Sequence, residues 1–163
     1  MNVAFERVAI FVDVQNIYYT VKSAYGCHFD YSVFWARATA NRQVVNAYAY
    51  AIDKGDPQQI EFQRILKTIG FTVKLKPYIS RSDGSTKGDW DVGITIDVLE
   101  SVGEVDTVVL ASGDGDFAIL LDKVHKDYGV NCEVYGVPAL TAKGLVNASQ
   151  QFVGIEESLL KRK

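Results

Sequence analysis

Cysteine is scarce in this chain: its 163 residues include only Cys27 and Cys132, far apart and without a C-x-x-C partner. That spacing excludes a disulfide-stapled scaffold and a zinc finger. Long apolar runs are missing too, and none approaches the roughly 18 residues that a membrane-spanning helix needs. The first residues, Met1 to Arg7 (MNVAFER), lack the charged-then-apolar order of a secretory signal, so a cytoplasmic location without a membrane partner is expected. Neither sign of charge dominates: 17 Lys and Arg stand against 20 Asp and Glu, a formal net charge of −3. Bulk charge therefore does not coat nucleic acid, although a local basic rim can still grip phosphates. Repeats, low-complexity tracts and internal linkers are also absent. What remains, 48% hydrophobic and 23% charged residues, is ordinary globular composition at a length that suits one domain, residues 1–163.

Five strand-length runs alternate with helical patterns, the signature of a mainly parallel sheet covered on both faces, a three-layer α/β/α domain. Arg7 to Asp13 (RVAIFVD) and Thr107 to Ala111 (TVVLA) are almost wholly apolar and read as central strands. Val44 to Ile52 and Asn131 to Tyr135 are the second and fifth strands. In the third, Phe71 to Ile79, alternating Lys74 and Lys76 and the interrupting Pro77 point to a sheet edge. Helices are expected over Ile17–Tyr25, Tyr31–Thr39, Pro57–Ile69, Asp89–Val102, Phe117–Tyr128 and, more weakly, Thr141–Ser149, several stopped by glycine. Ser80 to Gly88 (SRSDGSTKG) is the one polar, turn-rich loop, a type that often carries binding function.

The chemistry lies in where the acids fall. Asp13 ends the first strand, and Asp114 and Asp116 follow the fourth in Ser112-Gly-Asp-Gly-Asp116. Open parallel sheets bind ligands outside the carboxyl ends of their strands. If the first and fourth strands are neighbours, these three carboxylates converge. Asp91 begins a helix that must run antiparallel to the strands, so it can join them. Such a cluster partly protonates unless a cation neutralises it. All-oxygen ligation without His or Cys suits Mg²⁺ or Mn²⁺. Each acid also has a plainer reading: Asp13 and Asp114 as helix or turn caps, Asp91 as an acid favoured by a helix dipole. Co-location is what capping does not require.

Asp97 lies six residues beyond Asp91, roughly 120° around the helix, and suits a supporting position behind the ligands. Lys74, Lys76, Arg81 and Lys87 flank the polar loop as candidate holders of RNA phosphates, with Arg37 and Arg42 near the second strand. The tyrosines at 18, 19, 25, 31, 48 and 50 read mostly as packing residues, with stacking faces as the other use.

Several alternatives lack their residues. Gly113-Asp-Gly115 has no third glycine for a G-x-G-x-x-G dinucleotide loop, and no P-loop is present. Gln15 stands where a D-x-D phosphatase needs its second acid, and no G-x-S-x-G elbow occurs. The string Ala9-Ile-Phe-Val-Asp13-Val-Gln-Asn16, then Lys87-Gly-Asp-Trp-Asp91 with Asp97, then Ser112-Gly-Asp114-Gly-Asp116-Phe117 resembles the NYN domain family in its LabA-like branch. The family is similar to PIN nucleases. The resemblance implies a parallel sheet of strand order 3-2-1-4-5 and a Mg²⁺- or Mn²⁺-dependent ribonuclease, with Asp13, Asp91, Asp114 and Asp116 as its acids and Asn16 and Ser112 organising the pocket. Endonucleolytic cleavage of RNA is the expected activity. Two departures stand out: Lys87 is one residue further from Asp91 than the family's K-G-x-D, and Gln150 takes a position where an acid is common, which argues against a fully occupied second metal site. That leaves a second reading, a module that binds RNA or a protein partner without turnover, and the sequence leaves a homo-oligomer open.

Overall fold

The computed structural model describes residues 5–77, 79–80, 86–87 and 89–162. The chain runs β1 (Glu6–Asp13), α1 (Val14–Tyr25), β2 (His28–Phe29), α2 (Tyr31–Thr39), β3 (Arg42–Asp53), α3 (Pro57–Ile69) and β4 (Thr72–Pro77). It continues through β5 (Ile79–Ser80), β6 (Thr86–Lys87), α4 (Asp91–Ser101), β7 (Thr107–Ala111), α5 (Ala118–Tyr128) and β8 (Asn131–Gly136), and then α6 (Lys143–Ala148), β9 (Gln151–Gly154) and β10 (Leu160–Lys161). Six strands form one sheet in the order β4-β3-β1-β7-β8-β9, every neighbouring pair parallel. The expected order of five strands is present, with β9 added at one edge.

Strand periodicity sorts the core. Val8, Ile10 and Val12 of β1 face α1, α2 and α3, together with Ile17, Phe34 and Leu66. Ala9 and Phe11 face the other way, among Ile94 and Val98 of α4, Leu121 of α5 and Leu145 of α6. Because both faces of β1 and β7 are covered, their apolar runs are continuous rather than alternating. Each large side chain fully buried in this way stabilises by roughly 1.5–3 kcal/mol. β4 is an edge strand, where its lysines are tolerated, and its ladder ends at Pro77, which has no N–H to donate.

Some boundaries differ from the expectation. The third strand stops at Pro77, and Ile79 instead pairs with Lys87 in the small β5–β6 hairpin. The last helix shrinks to Lys143–Ala148, preceded by a 3₁₀ turn at Pro138–Leu140 where proline starts a new turn. α1 starts at Val14, immediately after β1, so no loop separates Asp13 from the helix. Among the described residues no helix is long and apolar enough to cross a membrane.

Candidate active site

Val12 pairs with Ala111, so β1 and β7 end side by side and deliver Asp13 and Ser112 to the same point. Asp13 is 7% exposed and Ser112 is fully buried. Asp13 stands at the start of α1, and its side chain bonds across the sheet: the Ser112 hydroxyl donates to Oδ2 at 3.0 Å. Ser112 Oγ in turn accepts from the Asp114 N–H at 3.2 Å, and Oδ1 of Asn16 accepts from the Gly113 N–H at 2.9 Å. Gly113 is glycine because a Cβ there would lie 2.8 Å from the Leu140 carbonyl oxygen. Three side chains thus pin one loop.

Asp114 does both things foreseen for it. Oδ1 accepts from the Asp116 N–H at 2.9 Å, capping the turn Gly115–Phe117, while its carboxylate also joins a cluster. Asp91 enters from the first turn of α4, whose amino end lies at the carboxyl end of the sheet. One carboxylate oxygen from each of Asp13, Asp91 and Asp114 lies within 4.8 Å of the other two. Ligand oxygens around one small divalent ion at about 2.1 Å sit roughly 3–4 Å apart, so three oxygens at this spacing fit such an ion with little movement.

Trp90, which the sequence reading passed over, sets Asp91 in place. Its indole N–H donates to the Ala51 carbonyl at 2.9 Å, and its ring lies 5.2 Å from that of Tyr50. Gly93 gives the ring room, since a Cβ there would come within 2.5 Å of it. Lys76 lies over the Trp90 ring, 4.9 Å from its centroid, and donates to the Asp89 carbonyl at 2.7 Å. The available signal was the position of Trp90, an aromatic residue directly before a candidate acid.

Burial pushes the Asp13 carboxyl up to about 6, with the negative charges of Asp114 and Asp89 adding to it. The Ser112 hydroxyl and the nearby Asn16 N–H pull the other way. Burial also lifts Asp91 to about 7, helped by a hydrogen bond and like charge from Asp114. Without a cation, then, the cluster holds protons close to neutral pH. A donor set of carboxylates alone suits a hard divalent cation.

The remaining candidates lie elsewhere. The Asp116 carboxylate is exposed and outside the three-acid group, to which its residue contributes only a backbone N–H. Asp97 is held by Tyr50, whose hydroxyl donates at 2.8 Å, and by Lys74 at 2.7 Å. Lys74, which also sits 4.4 Å over the Tyr48 ring, is thereby committed to Asp97. Arg81 and the Lys87 side chain lie outside the described residues. Arg37 and Arg42 are not at this site: Arg37 bonds Ser158, and Arg42 pairs with Glu6 and Glu133 at the amino ends of the strands. Gln150 is at that far end as well, accepting from the Cys132 N–H at 2.8 Å, so its departure from an acid does not touch the cluster.

The profile of the NYN domain family matches residues 7–156. The chain belongs to the NYN domain family. This NYN protein is 30% identical over 160 residues to the Low amplitude and bright protein LabA of Synechococcus elongatus, covering 93% of this chain and 84% of LabA. It is also similar to the crystal structure of a protein of unknown function from Vibrio parahaemolyticus, with 50% identity over 99% of each chain and a TM-score of 0.94. NYN domains belong to the PIN-like nuclease superfamily, and the acidic cluster of this one lies at the carboxyl ends of its central strands.

Proposed function

We propose that this NYN protein is a metal-dependent ribonuclease that hydrolyses phosphodiester bonds within RNA, with Mg²⁺ or Mn²⁺ held by Asp13, Asp91 and Asp114. The observation that carries the reading is the convergence of three carboxylates from three different elements within 4.8 Å. Capping accounts for one contact of Asp114 but not for the meeting of all three acids. When bound, the ion supplies charge stabilisation on the phosphate oxygens and a water of lowered pKa. Ser112 and Asn16 keep the loop 112–114 fixed so that Asp13 and Asp114 face the ion together. Asp91 would hold the ion as a carboxylate, without the proton it otherwise keeps to about pH 7. Asp116, whose exposed carboxylate is outside the three-acid group, would reach the ion only through an intervening water. Lys74 is paired with Asp97 and Lys76 donates to the Asp89 carbonyl, so each would leave its partner to meet a phosphate, and Arg81 and Lys87 complete the basic set.

End-labelled single-stranded and hairpin RNA, incubated with the protein in Mn²⁺, Mg²⁺ or EDTA, tests this. Metal-dependent products are expected from the wild type and not from folded Asp13→Asn or Asp114→Asn. Equal cleavage by all three proteins would place the activity elsewhere. No products from wild type, while the ion still raises its melting temperature, would contradict hydrolysis.

A further inference from the structure

Tyrosine was expected mostly as packing, and Tyr31 and Tyr50 are buried accordingly. Tyr18 and Tyr19 are not. α1 turns Val14, Ile17 and Val21 inward and leaves these two rings 42% and 55% exposed. They meet edge to face with centroids 5.4 Å apart. The exposed His28 ring stacks on Tyr18 at 6.0 Å and 26°. Lys22 holds its ammonium 5.5 Å over the Tyr18 ring and donates to the Tyr18 hydroxyl at 3.3 Å. Three aromatic rings and a cation therefore form one exposed row.

The row lies along the helix that starts at the acidic cluster. α1 begins directly after Asp13, and Asn16 is anchored to Gly113. Tyr19 is three residues beyond Asn16, so it lies one turn further on nearly the same side of the helix, about 4.5 Å along its axis. Exposed aromatic faces beside a cation are what an unpaired strand uses: bases stack on the rings and a phosphate meets the ammonium. A duplex keeps its base faces covered, and an apolar peptide gains little from a row threaded by charge.

We propose that Tyr18, Tyr19 and His28, with Lys22, form a stacking track for the bases of single-stranded RNA whose backbone enters the acidic cluster, an inference that rests on the ribonuclease reading above. The track makes the substrate an unpaired strand rather than a helix. It is tested by fluorescence anisotropy in EDTA, where binding is read without turnover, using a labelled oligouridylate of about ten nucleotides and a blunt duplex of the same length. Wild type is expected to bind the single strand more tightly than the duplex. Tyr18→Ala/Tyr19→Ala, with its melting temperature retained, is expected to lose about tenfold or more in single-strand affinity, and Tyr18→Phe/Tyr19→Phe to stay within about twofold. Wild-type affinity in the alanine variant, an equal loss for the duplex, or no single-strand binding by wild type would each overturn the track. Binding lost with the tyrosines but no cleavage in Mn²⁺ would support the track and contradict hydrolysis; cleavage with the alanine variant binding normally would do the reverse.

Discussion

The Ser112 hydroxyl donates to Asp13 Oδ2 across 3.0 Å, joining the ends of two neighbouring parallel strands whose residues are 99 positions apart in the chain. Both groups are buried, so the bond matters twice. Ser112→Ala leaves a buried carboxyl without this partner, and a loss of about 1–3 kcal/mol in urea unfolding is expected. The bond is also the main influence that keeps Asp13 down, so its titration, followed by carbon-detected NMR, should move above about 6 in the variant. A midpoint that stays put or falls would show that Ser112 does not hold Asp13.

The cluster makes the metal-free protein sensitive to pH in a direction opposite to the usual one for carboxylates. Folded Asp13 and Asp91 keep their protons to about pH 6 and about pH 7, against 3.8 for the free side chain. Between about pH 4 and about pH 7 the folded state therefore binds more protons than the unfolded one, and stability falls as pH rises. Asp13 alone contributes on the order of 2–3 kcal/mol. Asp91 adds less than its shift suggests, because solvent screens it. Asp106, Glu61 and Glu157 are shifted down by arginine partners and act in the opposite sense, but they cancel when wild type is compared with Asp13→Asn. In EDTA the asparagine variant should match wild type near pH 4 and be the more stable protein near pH 7. Saturating Mg²⁺ should reverse that order at neutral pH. A stability difference that does not change with pH in EDTA would contradict the account.

Asp97 belongs to a different device. Tyr50 is fully buried, and its hydroxyl donates to Asp97, which also pairs with the half-buried Lys74. Asp97→Ala should cost about 2–4 kcal/mol by chemical unfolding. Mn²⁺ affinity of the folded variant, measured by calorimetry, should remain within about threefold of wild type, since Asp97 lies outside the cluster. A loss of metal binding comparable to that of Asp114→Asn would make Asp97 a ligand.

How much of this was legible in the sequence depended on range. β1 and β7 could be read because both faces are buried, which leaves continuous apolar runs, and the positions of Asp13 and Asp114 follow from where those runs end. β9 was missed because Gln151–Gly154 has only Phe152 and Val153 as apolar residues, too few to show a period. Its pairing with β8 depends on the rest of the sheet already being in place. Spacing placed Asp91 but could not show that Asp116 would give a backbone N–H instead of its carboxylate. Nor could it show that Lys74 would turn to Asp97, 23 positions away, or that Arg42 would reach Glu133, 91 positions away. Charge partners of this kind are chosen by the folded sheet, and a linear pattern of basic residues does not reveal them.

Arg42 tests the division between the two ends of the sheet. Its guanidinium bonds Glu6 at 2.6 Å and the buried Glu133, with Nη1 to Oε1 at 3.0 Å. Arg42→Ala strands the Glu133 charge, and a loss of about 3–5 kcal/mol is expected. Because these residues lie at the amino ends of the strands, RNA cleavage per folded molecule, measured well below the melting temperature, should be unchanged. A drop in cleavage out of proportion to the folded fraction would bring the amino end of the sheet into the reaction.

The most direct test of the central claim is the initial rate of RNA cleavage as a function of Mn²⁺ concentration, for EDTA-stripped wild type beside Asp114→Asn. If three carboxylates hold the ion that hydrolysis requires, the wild-type rate rises from zero and saturates. The variant, folded by circular dichroism, then needs at least about tenfold more Mn²⁺ or shows no rate at all. A rate that is independent of Mn²⁺, or superimposable curves for the two proteins, would contradict a metal centre built on Asp13, Asp91 and Asp114.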